Sequence, residues 1–182
     1  MRVLIALILF LSPVATCCAQ QYVGSSADSA RIEEADVGEI ERLTLTLADG
    51  SSVEAPKIAK QTAFDRPVFS PDGSRVAWGA LEPNCCTSYP VPAALVVFKA
   101  NRIERVITEE QCIFKPVFVR DGLAIAYFTA ALHGDSGGLA HLRRLSDGKE
   151  IGKYIVPNDG SEQVAALRRA PKWVKEIHAF GE

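Results

Sequence analysis

The chain has 182 residues, with 22 acidic and 20 basic side chains, a formal net charge of −2 and 48% hydrophobic residues. A charge this balanced excludes any general attraction to nucleic acid or to anionic lipid. Without an N-terminal leader about 160 residues remain, enough for one domain with a real core.

In chain order, Met1-Arg2 is a short basic start, residues 3–11 are an unbroken apolar run, and Ser12-Pro13 breaks it before Cys17-Cys18-Ala19. That is the order of a secretory signal, read as residues 1–19, and the run is too short to span a bilayer. The neighbourhood Val14-Ala15-Thr16-Cys17 also resembles a bacterial lipoprotein box, whose cysteine would carry a lipid anchor. No other stretch is long enough for a membrane helix. The expected location is therefore outside the cytoplasm, periplasmic or secreted, with tethering at Cys17 as the alternative. Residues 20–40 read as a polar N-terminal linker, and 41–182 as a β-repeat domain.

Short runs of Val, Ile, Leu, Thr and Phe, punctuated by Pro, Gly and Asp, mark that domain as all-β. Leu43-Thr44-Leu45-Thr46-Leu47 turns at Asp49-Gly50 into Ser52-Val53-Glu54. Pro67-Val68-Phe69 turns at Asp72-Gly73 into Val76-Ala77-Trp78, and 49 residues later Pro116-Val117-Phe118 turns at Asp121-Gly122 into Ile125-Ala126-Tyr127. Asp-Gly tolerates the positive φ of a tight hairpin turn, and a strand-initial proline lacks an N–H where least is lost. Leu95-Val96-Val97-Phe98 turns around Ala100-Asn101, and 141–145 turns at Asp147-Gly148, which is 98 residues after Asp49-Gly50. A polar turn with a short helix over 162–169 precedes Pro171-Lys172-Trp173-Val174, a last echo of Pro-x-aromatic.

The string Pro67-Val68-Phe69-Ser70-Pro71-Asp72-Gly73-Ser74-Arg75-Val76-Ala77-Trp78 resembles the repeat of TolB-like, WD40-like β-propellers, in which it spans the inner strands of one blade. The second copy departs at Val119-Arg120, where the family prefers Ser-Pro, and the third lacks Asp-Gly. The resemblance implies antiparallel blades: an outer hairpin at 41–58, full blades at 62–108 and 112–156, and the start of another at 165–180. About three blade-equivalents do not close a ring by themselves. The expectation is an open propeller-like array or one completed by a homo-oligomer, with a twisted sheet or sandwich as the alternative.

Cys85, Cys86 and Cys112 remain after the leader. A bond between neighbouring cysteines is strained, so export predicts a disulfide from Cys112 to one of the pair. Neither C-x-x-C nor a second ligand pair is present, so no metal site and no cofactor is expected at these thiols.

Gly134-Asp135-Ser136-Gly137-Gly138 resembles the nucleophile motif of chymotrypsin-like proteases, and 129–133 faintly resembles their histidine motif. Yet His133 lies only three residues from Ser136, and no second barrel fits in the chain. His133, Asp135 and His141 as metal ligands match no compact spacing, which favours exposed polar residues. The Pro-rich segment 82–92 and the Gly-rich loop 134–138 fall at equivalent places in the repeat and project from one edge. Loops on a rigid β rim are where binding sits. The sequence thus predicts a non-catalytic exported module holding a protein partner through Asn84, Tyr89, His133, Asp135 and Ser136. A small envelope hydrolase using Ser136 and His133, or a weak His/Asp metal, is the alternative.

Overall fold

In the computed structural model of the chain, residues 19–23, 29–34, 40–47, 50–65, 67–133 and 137–179 are described. Thirteen strands and two helices follow in order among them. The strands are β1 (Ala19–Val23), β2 (Ser29–Glu34), β3 (Ile40–Thr46), β4 (Ser52–Glu54), β5 (Ala63–Phe64), β6 (Val68–Phe69), β7 (Arg75–Glu82), β8 (Val91–Lys99) and β9 (Arg102–Thr108) in a first sheet. A second sheet holds β10 (Cys112–Val119), β11 (Ala124–Ala130), β12 (Gly138–Arg144) and β13 (Glu150–Val156). The helices α1 (Gly160–Arg169) and α2 (Lys172–Ala179) close the order. The protein is mostly β, its pairings are antiparallel, and neither sheet closes on itself.

The repeat read from the sequence is a repeat of register. Val68 pairs with Ala77 and Phe69 with Val76; 49 residues on, Val117 pairs with Ala126 and Phe118 with Ile125. Gly73 and Gly122 take positive φ, +65° and +80°, as their hairpin turns demand. The first turn is tied by its own side chains. Ser70 Oγ donates to Asp72 Oδ1 at 2.6 Å, and Ser74 N–H and Oγ donate to the same carboxylate. In the second turn valine and arginine replace the Ser-Pro pair, and Arg120 and Asp121 are both driven to positive φ. The two turns sit side by side, with a Cβ on Gly122 placed 3.2 Å from that of Ser70. Strands β7 and β11 therefore start at one end of the molecule, and the loops following them leave from the other.

The two sheets stack face to face. Leu95, Val97, Ala77 and Ile107 of the first meet Ile113, Phe118, Ile125, Tyr127 and Leu145 of the second. The alternate residues of β7 and β8, among them Val76, Trp78, Val96 and Phe98, pack instead against Ile40, Leu43, Leu45 and Phe64. Strands buried on both faces lose the polar alternation of a surface strand, which is why residues 76–81 are buried without a break. On the far face of the second sheet, Val117, Val119, Ala126, Ala140 and Leu142 pack against Val174 and Ile177 of α2.

Two segments differ from the sequence reading. Of residues 165–180, expected to begin another blade, 165–169 and 172–179 are helical. Val174 and Ile177 recur at helical spacing, and the N–H groups of Val174 and Lys175 donate to the Pro171 carbonyl in the first turn. The shorter helix expected over 162–169 is α1, capped by Asp159, whose side chain accepts from the N–H groups of Ser161 and Glu162. Residues 20–40, expected to be a linker, contain most of β1 and all of β2, which extend the first sheet through pairs such as Ile32 with Leu43. The period-two run Ala30-Arg31-Ile32-Glu33 is the strand signal there.

Candidate functional site

At the end where β7 passes into β8, residues 83–90 form a loop over an open cleft of about 270 Å³. Thr62, Pro83, Asn84, Thr87, Tyr89 and Pro90 line it. Two local bonds shape the loop. Asn84 Oδ1 accepts from the Cys86 N–H at 3.3 Å, and Thr87 Oγ1 donates to the Tyr89 carbonyl at 2.6 Å. Flanking prolines fix φ on either side. Tyr89 is 47% exposed, unusual for so large a ring, and Asn84 is partly exposed beside it. Both residues assigned to this loop from sequence therefore line one concavity.

Of the residues assigned to the other loop, His133 is exposed, whereas Asp135 and Ser136 lie outside the described residues. The glycines that follow have a packing role. A Cβ on Gly137 would fall 2.1 Å from the Val156 carbonyl oxygen, and one on Gly138 would fall 1.9 Å from the Phe128 ring. The Gly-Gly pair thus permits backbone to lie against β13 and an aromatic ring. No group of three or more His, Cys, Asp or Glu side chains able to hold a metal occurs among the described residues. His141 differs from its sequence reading: it is 4% exposed and belongs to the interior. Cys85 and Cys86 are exposed free thiols, and Cys112 is a partly buried one whose thiol burial pushes up.

Sequence reasoning missed a polar chain that runs from the interior to the surface. Thr129 on β11, His141 on β12 and Glu150 on β13 are joined in line, with Thr129 Oγ1 to His141 Nε2 at 3.0 Å and His141 Nδ1 to Glu150 Oε1 at 2.6 Å. Against the Glu150 carboxylate, Nδ1 carries the proton, and in the neutral ring Nε2 accepts the threonine O–H. The Tyr127 ring stacks on His141 with centroids 5.1 Å apart. Its hydroxyl donates to Glu109 Oε1 at 2.5 Å and accepts from Arg143 Nε at 2.6 Å, and Arg143 Nη2 also reaches Glu109 at 2.8 Å. Burial by itself would raise the Glu109 carboxyl, but Tyr127 and then Arg143 outweigh it and the net shift is downward. Burial, followed by the bond to Glu109, pushes the Tyr127 hydroxyl well above its usual range.

Hydroxyl, imidazole and carboxylate follow one another here in the order of a nucleophile triad. Burial decides what that order can do: Thr129 is 2% exposed, so no substrate reaches its oxygen. The chain works as a tie, since Glu109 follows β9 of the first sheet while its partners stand on the second. Its sequence signal was the alternation Tyr127-x-Thr129 and His141-x-Arg143, whose strands pair Tyr127 with His141.

Compared with protein-family models and with curated proteins, the chain matches none.

Proposed function

We propose that the chain is an exported, non-catalytic binding module that holds a protein partner on the loop rim around Tyr89 and Asn84. The observation that carries this reading is the cleft beneath residues 83–90, where both sequence-assigned residues meet. A half-exposed tyrosine between prolines offers a rigid amphipathic contact at low entropic cost. The stacked layers with equal hairpin registers support an open propeller-like array as the scaffold, with His133 on the neighbouring loop of the same rim. The hydrolase alternative loses support, because the Gly-Gly of its motif serves close packing and the interior hydroxyl is sealed.

The test places a photo-crosslinking amino acid at position 89 and, as a control, at Leu123, which is 65% exposed at the opposite end. Irradiation of producing cells should give a discrete higher-mass adduct from position 89 alone, abolished by Asn84→Ala. Equal adducts from both positions, or none from position 89, would overturn the reading. Fractionation of the same cells tests export, which requires the protein outside the cytoplasm.

A further inference from the structure

Cys85 and Cys86 occupy the tip of the loop, in a turn where the Asn84 side chain holds the Cys86 N–H. Both thiols are exposed, on neighbouring residues of the loop. The neighbouring Cys85 side chain pushes the Cys86 thiol up. Two features then decide the chemistry of the pair. The peptide bond between them is trans, as are all those described, so their Cα atoms stand about 3.8 Å apart. Unstrained disulfides need Cα atoms about 4.4–6.8 Å apart, so direct S–S closure is resisted. A bridging atom between the sulfurs removes that conflict, because each sulfur then bonds to the bridge at its own length. Soft, thiophilic centres are the ones that thiolate donors select.

We propose that Cys85 and Cys86 form a dithiol chelate for a soft, thiophilic metal or metalloid centre with two exchangeable positions. With a trivalent arsenical such as phenylarsine oxide, both S–H bonds break, two As–S bonds form, and the arsenic-bound oxygen leaves with the two protons as water. No oxidant is consumed. Cys112 takes no part, being partly buried at the start of β10. The pair lies on the same loop as the partner-binding surface but uses different side chains, so the two readings fail separately.

The test uses the full chain carrying Cys17→Ser and Cys18→Ser, to remove the other adjacent pair. Purified protein is reduced, freed of reductant and treated with one equivalent of phenylarsine oxide. Intact mass should show a single adduct, resistant to excess monothiol and removed by 2,3-dimercaptopropanol. Peptide mapping after iodoacetamide should find Cys85 and Cys86 protected and Cys112 alkylated. Cys85→Ser and Cys86→Ser should each lose the monothiol-resistant adduct, Cys112→Ser should keep it, and Cys85→Ser should leave crosslinking at position 89 unchanged. An adduct that persists in either loop variant, protection of Cys112, or no adduct at all would overturn the proposal. So would a native disulfide from Cys112 to either loop cysteine.

Discussion

Trp78 and Tyr127 stand 49 positions apart at equivalent places in the two repeated hairpins, and both are fully buried: Trp78 packs against Ile40, Leu43 and Phe64 of its own sheet, and Tyr127 packs between the two sheets. Their chemical surroundings differ. The Trp78 indole N–H has no hydrogen-bond partner among the described residues, whereas the Tyr127 hydroxyl is shared by Glu109 and Arg143.

Alanine at either position should therefore destabilise by about 3–5 kcal/mol. Phenylalanine should separate them. Tyr127→Phe leaves Glu109 and Arg143 short of a bond and should cost about 1–3 kcal/mol beyond its small loss of volume. Trp78→Phe loses only packing, with no polar penalty. Denaturant melts of the four variants measure both effects, and a Tyr127→Phe variant as stable as the parent would contradict the tie between the sheets.

The same tie predicts energetic coupling. Glu109→Gln and Arg143→Met should each destabilise, and the double variant should recover part of the sum, with a coupling of about 0.5–3 kcal/mol. A double-mutant cycle in urea reads it directly. Additive losses would mean that the ion pair at 2.8 Å contributes nothing to holding the layers together.

The two hairpin turns should respond in opposite directions to glycine. Arg120 sits at a left-handed φ of +52°, which costs about 1–2 kcal/mol for an L-residue, so Arg120→Gly should raise stability by roughly 0.5–1 kcal/mol after the added chain entropy. Pro71→Gly, at the matching position, should lower it by about 0.4–1 kcal/mol through the unfolded state. Gly73→Val and Gly122→Val should each cost about 1–3 kcal/mol. Thermal melts of the four variants give the signs.

Acid should weaken the first turn. Hydrogen bonds from Ser70 and then Ser74 hold the Asp72 carboxyl down at about 2, below its usual 3.8. A carboxyl that is more acidic when folded contributes stability above its unfolded value, and that contribution fades as pH falls from 3.8 to about 2. Ser70→Ala should move the Asp72 titration upward and shrink this loss. Carboxyl NMR across the acid range checks the first expectation and acid melts the second.

What was legible in the sequence follows the range of the forces involved. The pairing of Val68 with Ala77 and of Val117 with Ala126 can be read because alternation and turn lie within a dozen residues. The Asn84–Tyr89 concavity was legible as a Pro-rich insertion between strands. Pro171-Lys172-Trp173 misled because three residues cannot distinguish strand from helix, and the helical signal waits for Val174 and Ile177. His141 was unreadable for a different reason. A histidine entering a strand is ordinarily exposed, and its burial depends on a ring, a hydroxyl and a carboxylate delivered by two neighbouring strands.

The helix on the far side of the second sheet gives the stack a direction. With Val174 and Ile177 seated on Val117, Ala126 and Leu142, that face has no room for another sheet while α2 stays in place. A tandem copy joined after residue 179 would meet a finished surface and behave as a bead on a string. Engineering a longer array by C-terminal extension would first require removing the helices.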